Sequence, residues 1–322
     1  MPGTASVSLT DAQALRNYIE TYRDDLTVQA FTDFQAADFA IGIEGVKGKQ
    51  ILPKMLVGKL SKRWTKAFTP PEDVIKFGFD VIEVEGAKIE LQLYPQDFEN
   101  NQITGRKRGA GFSNMAIPFE QQMMSQVFEK LDQEISHAFW NAVKTPTPAA
   151  GDDLDVLFDG QKGIFMKLAN TGKIGLLPIP GGAYTIDNII PHFKNMRLAQ
   201  GAAYRKEDNY FLTSPEVGSL YFDAITKLQP TRTPETKTDS EGNRWIRTFD
   251  NTTWIVEVND LSGSDFVAIL GKNRMFYAFD AFSDTAAFST MQMHRSVDFW
   301  MDYKFGVQLV VPEPNAVIYN GK

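Results

Sequence analysis

The sequence predicts an α+β fold, and three observations carry the prediction. Residues 74 to 94 alternate apolar and polar side chains, residues 118 to 144 repeat apolar side chains at steps of three and four, and from Trp245 to Ile318 the chain reads as nearly all strand. The two periods belong to different backbones, because successive strand side chains point to opposite faces whereas helical ones return to the same face every three to four residues. No internal repeat is found, which argues against a solenoid or propeller.

Taken in order, the first forty residues read as a polar arm in which Thr10 caps a thin helical stripe of Ala14, Leu15, Tyr18, Ile19 and Tyr22. Glycines at 42, 45, 48 and 58, with Pro53, make residues 41 to 58 an extended or loop-like stretch. Ile75, Phe77, Phe79 and Val81 form one alternating set and Ala87, Ile89, Leu91 and Leu93 a second; Gly86 is the expected turn or bulge of an antiparallel ribbon with one face buried. Pro118 opens a long helix at the position where its missing N–H costs nothing. The stripe Phe119, Met123, Val127, Leu131, Ile135, Phe139 and Ala142 follows, and the Thr145–Pro148 run ends it. Leu177 to Gly182, rich in Gly and Pro, marks a domain crossing. Thr185 caps a helix carrying Ile186, Ile189, Ile190 and Phe193, which Pro191 must either kink or enter in its first turn. Ser214, Pro215 and Glu216 open another with Val217, Leu220, Tyr221, Ala224, Ile225 and Leu228 at helical spacing. Residues 230 to 244 read as an exposed loop before the terminal strands.

Composition removes whole classes of chemistry. A chain of 322 residues, 43% hydrophobic, builds one large core or two ordinary ones. The absence of cysteine excludes disulfides, thiolate metal sites and cysteine nucleophiles. His137, His192 and His294 stand far apart and outside any HExxH pattern, and there is no G-x-S-x-G. The Asp152, Asp153, Asp155 and Asp159 run lacks calcium-loop spacing and reads as a solvated turn. No cofactor and no metal is implied. The N-terminus has no targeting pattern and no stretch is long and apolar enough to span a bilayer, so a cytoplasmic origin without membrane contact is expected.

Charge is segregated. Thirty-three basic against 40 acidic residues give a net −7, yet no acid stands between Glu44 and Glu72, where Lys47, Lys49, Lys54, Lys59, Lys62, Arg63 and Lys66 lie. Removing those seven positive charges from the net −7 leaves −14 on the rest. Such an arm is a solubilising loop, a contact for nucleic-acid phosphates, or a contact for the acidic body of another copy. Arg106, Lys107 and Arg108, between Gly105 and Gly109, form a second basic segment able to meet phosphate; it lacks the Lys-Ser/Thr ending of a P-loop and reads as an exposed loop.

The terminal third carries a resemblance. The run from Val258-Asn259-Asp260-Leu261-Ser262-Gly263-Ser264-Asp265 to Phe266-Val267-Ala268-Ile269-Leu270-Gly271-Lys272-Asn273-Arg274-Met275 is similar to the strand, turn and strand of tailed-bacteriophage major capsid proteins of the Hong Kong 97-like fold. The runs Arg295–Met301 and Phe305-Gly306-Val307-Gln308-Leu309-Val310-Val311-Pro312-Glu313 resemble that family's closing strands.

The resemblance implies an N-terminal arm over 1–40, an extended loop and β-ribbon over 41–100 and a peripheral domain over 101–176 with a spine helix at 118–144. An axial domain follows over 177–290, and strands return to the peripheral domain over 291–322. It implies a structural, non-enzymatic shell subunit that assembles with itself into hexamers and pentamers around double-stranded DNA held without sequence specificity. Scaffolding, portal and decoration proteins would be partners, the virion the location, and the host cytoplasm the place of assembly. The ten basic residues at 47, 49, 54, 59, 62, 63, 66 and 106 to 108 are then candidate intersubunit or DNA contacts. An encapsulin-like nanocompartment shell is the nearest rival, and a soluble carboxylate-dependent hydrolase a more distant one.

Overall fold

The computed structural model describes residues 39–58, 61, 63–64, 74–93, 119–147, 149, 153–230, 234–239, 242–280, 288–292 and 297–321. The arm expected over residues 1–40 lies outside them except for Phe39 and Ala40.

The stretch expected to be extended or loop-like is extended and regular, holding two strands, β1 (Ala40–Glu44) and β2 (Lys49–Val57). The glycines punctuate these strands without abolishing them: Gly45, at φ +76°, makes the turn after β1, and Lys49 already lies in β2. Strands β3 (Ile75–Glu83) and β4 (Glu85–Leu93) come next, but they do not pair with each other across Gly86. Strand β3 pairs antiparallel with β2, and the chain runs on through Val84 to give β4 a different partner. Alternation alone identified both strands; it does not say which strand is the neighbour.

Helix α1 (Phe119–Asn141) buries Phe128, Leu131, Ile135, Ala138, Phe139 and Trp140. It ends three residues before the expected Lys144, because the Val143 and Thr145 N–H groups bond the Asp155 and Val156 carbonyls instead of continuing the helix. Helix α2 (Gln161–Asn170) and the short strand β5 (Gly175–Leu176) follow. Helix α3 (Ile189–Ala199) holds Pro191 in its first turn, preceded by a reciprocal pair of bonds between Thr185 and Asn188. After β6 (Asn209–Thr213), helix α4 (Pro215–Leu228) has the expected Ser214 N-cap, whose Oγ accepts the Val217 N–H at 3.4 Å. Strands β7 (Thr236–Thr238), β8 (Arg244–Arg247), β9 (Trp254–Glu257), β10 (Val267–Gly271), β11 (Met275–Asp280), β12 (Phe288–Gln292), β13 (Val297–Leu309) and β14 (Ile318–Tyr319) complete the chain. The polar 230–244 segment thus contains a strand at its centre.

Three sheets result. Seven strands run β5-β14-β10-β6-β9-β8-β7, five form a sheet in the order β1-β11-β13-β12 with β4 also paired to β13, and β2-β3 stand as a pair. Strand alternation divides the seven-stranded sheet: Phe211, Ile255, Val267 and Ile269 pack under α3 and α4, while Leu212, Val256, Ala268 and Leu270 join the core built on α1. A short 3-10 turn, Asn259–Leu261, ties α1 to this sheet: Ser136 Oγ donates to Asp260 Oδ2 and Asn141 Nδ2 to the Asp260 carbonyl, both at 2.6 Å. Consecutive strands β10 and β11 belong to different sheets, so the chain crosses from one to the other between Gly271 and Met275.

In the five-stranded sheet, β4 lines one edge of β13 along Val297–Phe305, and β12 and β11 line the other in succession. Gly306 sits where the β3–β4 junction passes over β13. A Cβ placed on it would lie 2.0 Å from the Glu83 carbonyl oxygen, whereas one on Gly86 would meet nothing within 4 Å. We therefore expect Gly306→Ala to destabilise the subunit by about 1–3 kcal/mol or more, as overpacking against backbone does. Gly86→Ala should stay within about 0.5 kcal/mol. Denaturant unfolding of the two variants checks the difference.

Strand β9 also buries a carboxylate. Glu257 packs against Gly218 of α4, and its Oε1 lies 3.5 Å from Arg244; burial first of all, and then the Glu216 charge, push its pKa from 4.5 to about 6, with Arg244 opposing. Between those values the folded chain binds more protons than the unfolded one, so this group's contribution to stability falls as pH rises through 4.5 to 6 and is least favourable above. Glu257→Gln should raise the thermal midpoint at pH 7 and flatten its dependence over that window, measured against the parent chain by calorimetry.

Candidate self-association surface

The β2–β3 ribbon is the part of the chain that the molecule does not bury. Its register sets Ile51 opposite Val81, Pro53 opposite Phe79, Met55 opposite Phe77 and Val57 opposite Ile75. Because strand side chains alternate, all eight apolar residues lie on one face. Sequence reading expects the Ile75, Phe77, Phe79, Val81 set to be the buried face. The structure corrects this: Phe77 is 80% exposed, Phe79 64%, Ile51 61%, Met55 58% and Ile75 52%. The face turns away from the body, and no described residue covers it. Trp64, beyond the end of β2, is also 80% exposed.

The opposite face anchors the ribbon. Leu52 and Ile82 are buried with Val46, Val84 and Ala278, so the half of the ribbon nearest the body has a small core of its own. Polar groups surround it. Lys49 pairs with Glu83 and Lys144 with Glu85, while Lys304 Nζ donates to the Lys47 carbonyl at 2.7 Å. The Lys49 hydrogen bond holds the Glu83 carboxyl below its usual range, and the Glu85 hydrogen bond raises Lys144. Most of these pairs are solvent-exposed, so they set geometry more than they add stability.

Of the candidate basic residues, Lys47, Lys49 and Lys54 lie at or on the ribbon, and Lys49 and Lys54 form ion pairs within the chain, the latter with Asp80. Arg63 is exposed near Trp64. Lys59, Lys62, Lys66, Arg106, Lys107 and Arg108 lie outside the described residues. The structure thus places three candidates beside an apolar surface that sequence reading missed on the β2 side. The alternation of Ile51, Pro53, Met55 and Val57 was present but masked by the glycines and proline around it.

Among the described residues no three His, Asp or Glu side chains are grouped so as to hold a metal ion. His137 Nδ1 lies 3.3 Å from Asp155, Asp159 pairs with Lys167, and His192 is buried on α3, where desolvation lowers its pKa. Asp152 and His294 lie outside the described residues.

No protein-family model matches the sequence, and no curated protein does. Solved structures match along nearly the whole chain. It is similar to a chain of the satellite phage P4 procapsid, a structure that includes the size determination protein, with 10% identity, 94% of this chain and 98% of that one covered, and a TM-score of 0.54. The capsid of the Myoviridae phage XM1 matches with 10% identity, 90% coverage of both chains and a TM-score of 0.51. The holo-SrpI encapsulin complex from Synechococcus elongatus matches with 9% identity, 88% and 84% coverage, and a TM-score of 0.50. The chain has the Hong Kong 97-like capsid fold.

Within that fold the exposed ribbon acquires a physical meaning. Nine residues at about 3.3 Å each, on two strands about 4.8 Å apart, give an apolar face on the order of 300 Å². That is as large as the largest apolar patch of an ordinary monomer, and such patches mark interaction sites. Replacing Phe77 by Asp and its cross-strand partner Met55 by Lys should therefore change the subunit's unfolding free energy by no more than about 1 kcal/mol, since neither side chain packs on the body and the new charges are opposite in sign. Any self-association through this face should be lost. Sedimentation velocity beside denaturant unfolding separates the two effects.

Proposed function

We propose that the chain is the major capsid (head) protein of a tailed bacteriophage of the class Caudoviricetes, assembling into the hexamers and pentamers of an icosahedral shell that encloses double-stranded DNA. The observation that carries this reading is the uncovered apolar face of the β2–β3 ribbon on a chain with the capsid fold. At about 25 cal/mol per Å², covering some 300 Å² of it yields roughly 7 kcal/mol. Association costs about 4–15 kcal/mol in lost freedom of motion, a range that spans this gain, so one ribbon holds a pair together weakly at best. A ring in which every subunit offers a ribbon and receives one doubles the contacts of each subunit, and such head-to-tail contacts close into rings.

In this reading the arm over 1–40 and the ribbon over 41–100 reach across neighbours. Helix α1 is the spine of a peripheral domain over 101–176, residues 177–290 form the axial domain, and 291–322 return. Scaffolding, portal and decoration proteins are the accessory partners. The basic stretch from Lys47 to Lys66 meets the acidic surface of an adjacent copy or the packaged DNA. The likeness to an encapsulin supports one second reading, a shell around protein cargo.

Negative-stain microscopy of the expressed chain, with nuclease protection of the purified particles, tests both. Particles tens of nanometres wide that hold protected DNA are expected; protein-filled particles without DNA favour the nanocompartment, and a small monodisperse species under all conditions contradicts both. Replacing Lys59, Lys62, Arg63 and Lys66 together by Ser is expected to lower particle yield and salt tolerance while circular dichroism of the subunit stays unchanged.

A further inference from the structure

The ribbon leaves the body at a defined place, and a compact set of groups fixes its direction there. Lys54 and Asp80 lie on the ribbon face opposite the apolar one, two positions apart across the strand pair. Lys54 Nζ donates to both Asp80 carboxylate oxygens at 3.0 Å and to the Val311 carbonyl at 2.9 Å, while the Val311 N–H donates to Asp80 Oδ2 at 3.4 Å. One residue pair of the ribbon thus grips both backbone groups of a single residue in the segment after β13. Gln308 Nε2 adds a bond to the Val81 carbonyl at 2.8 Å.

Burial separates this cluster from the surface pairs nearby. The Lys54 and Asp80 side chains are only 27% and 18% exposed, against 71% and 44% for Lys49 and Glu83. Less screened charges with several fixed partners hold a geometry that exposed ones do not. Gly78, directly opposite Lys54, makes room for the lysine stem: a Cβ there would lie 3.1 Å from Lys54 Cε and 3.2 Å from Cγ. The stem is pinned at its charged end, so it has little freedom to step aside.

The gripped segment is itself tied to both large sheets. The Val310 N–H bonds the Arg274 carbonyl at 2.9 Å, just before β11, and the chain then runs through Glu313, which accepts the Tyr204 hydroxyl at 3.1 Å, into β14 of the seven-stranded sheet. A ribbon held at Val311 therefore takes its direction from the joint between the sheets. Beyond Lys54 and Gly78 no comparable contact steadies it among the described residues.

We infer that Lys54, Asp80 and Gly78 form a clamp that sets the angle at which the ribbon leaves the body, and that through this angle they set the curvature of the assembled shell. The second half rests on the capsid reading, because a shell's curvature follows from the angle between the surface a subunit offers and the surface it presents. Lys54 and Asp80 are positioning residues here; neither lies on the apolar face that makes the contact.

The chain contains no cysteine, so two can be introduced for spin labelling without background. Labels at Ser61, beyond the outer end of β2, and Ser219, on the exposed side of α4, report the ribbon's angle in the unassembled subunit by pulsed electron–electron distance measurement. Two variants are compared with the parent. Lys54→Met with Asp80→Asn removes both charges together and leaves neither unpaired; Gly78→Val keeps both charges and displaces the lysine stem. Each is expected to broaden the distance distribution at least twofold, and assembled particles to show at least twice the spread in diameter. An unchanged distance distribution in a variant with native circular dichroism overturns the clamp, and loss of fold in both assigns these residues to stability and overturns it as well. A broadened distribution with unchanged particle diameters overturns the link to curvature. Failure of the parent chain to form particles counts against the capsid reading alone, since the label distances still read the clamp.

Discussion

The rest of the structure depends on one close approach, the contact of the Glu83 carbonyl with the bare α-carbon of Gly306 in the middle of β13. At that point β3 stops serving the ribbon and the chain becomes β4, one edge partner of β13. On the other edge, β11 and β12 pair with the same strand in succession. A side chain at 306 would hold the two layers apart where the ribbon joins the body. Beyond Leu309 the same stretch of chain continues to β14 in the seven-stranded sheet, so the segment that roots the ribbon also connects the two large sheets.

That arrangement explains how a chain with an ample core still leaves its most regular apolar alternation outside. The cores under α1 and α3–α4 are complete without the ribbon, with Trp140, Phe165, Phe193 and Phe266 all fully or nearly fully buried. Of its apolar side chains the ribbon buries only Leu52 and Ile82 against the body. Its eight outward apolar residues are not needed for the subunit to fold. A surface held rigid by backbone pairing and never required internally is suited to contact between copies.

The sequence showed the elements more clearly than their neighbours. The Ser214 cap, the stripe of α1 and the terminal strand runs were legible because each follows from local periodicity or end chemistry. Strands β1 and β2 were not, since glycines at 42, 45 and 48 look the same whether they break a strand or bound one. The pairing of β3 with β2 in place of β4 is a long-range choice that alternation does not encode. The same limit governs the site: Phe77 and Phe79 were visible as one face of a strand, but whether that face meets the core or solvent depends on the strand's partner. Lys54 read as one more charge of a basic arm. Only the register, with Asp80 two positions away and Gly78 opposite, gives it a distinct place.

The apolar ribbon face is open in the subunit and, on the proposed capsid reading, closed in the assembly. Carbene footprinting with residue-level mass spectrometry measures this directly at Met55, Phe77 and Phe79, first on dissociated subunits and then on purified particles. Heavy labelling of all three is expected in the subunit, with a several-fold drop on assembly. Equal labelling in the two states would contradict this reading.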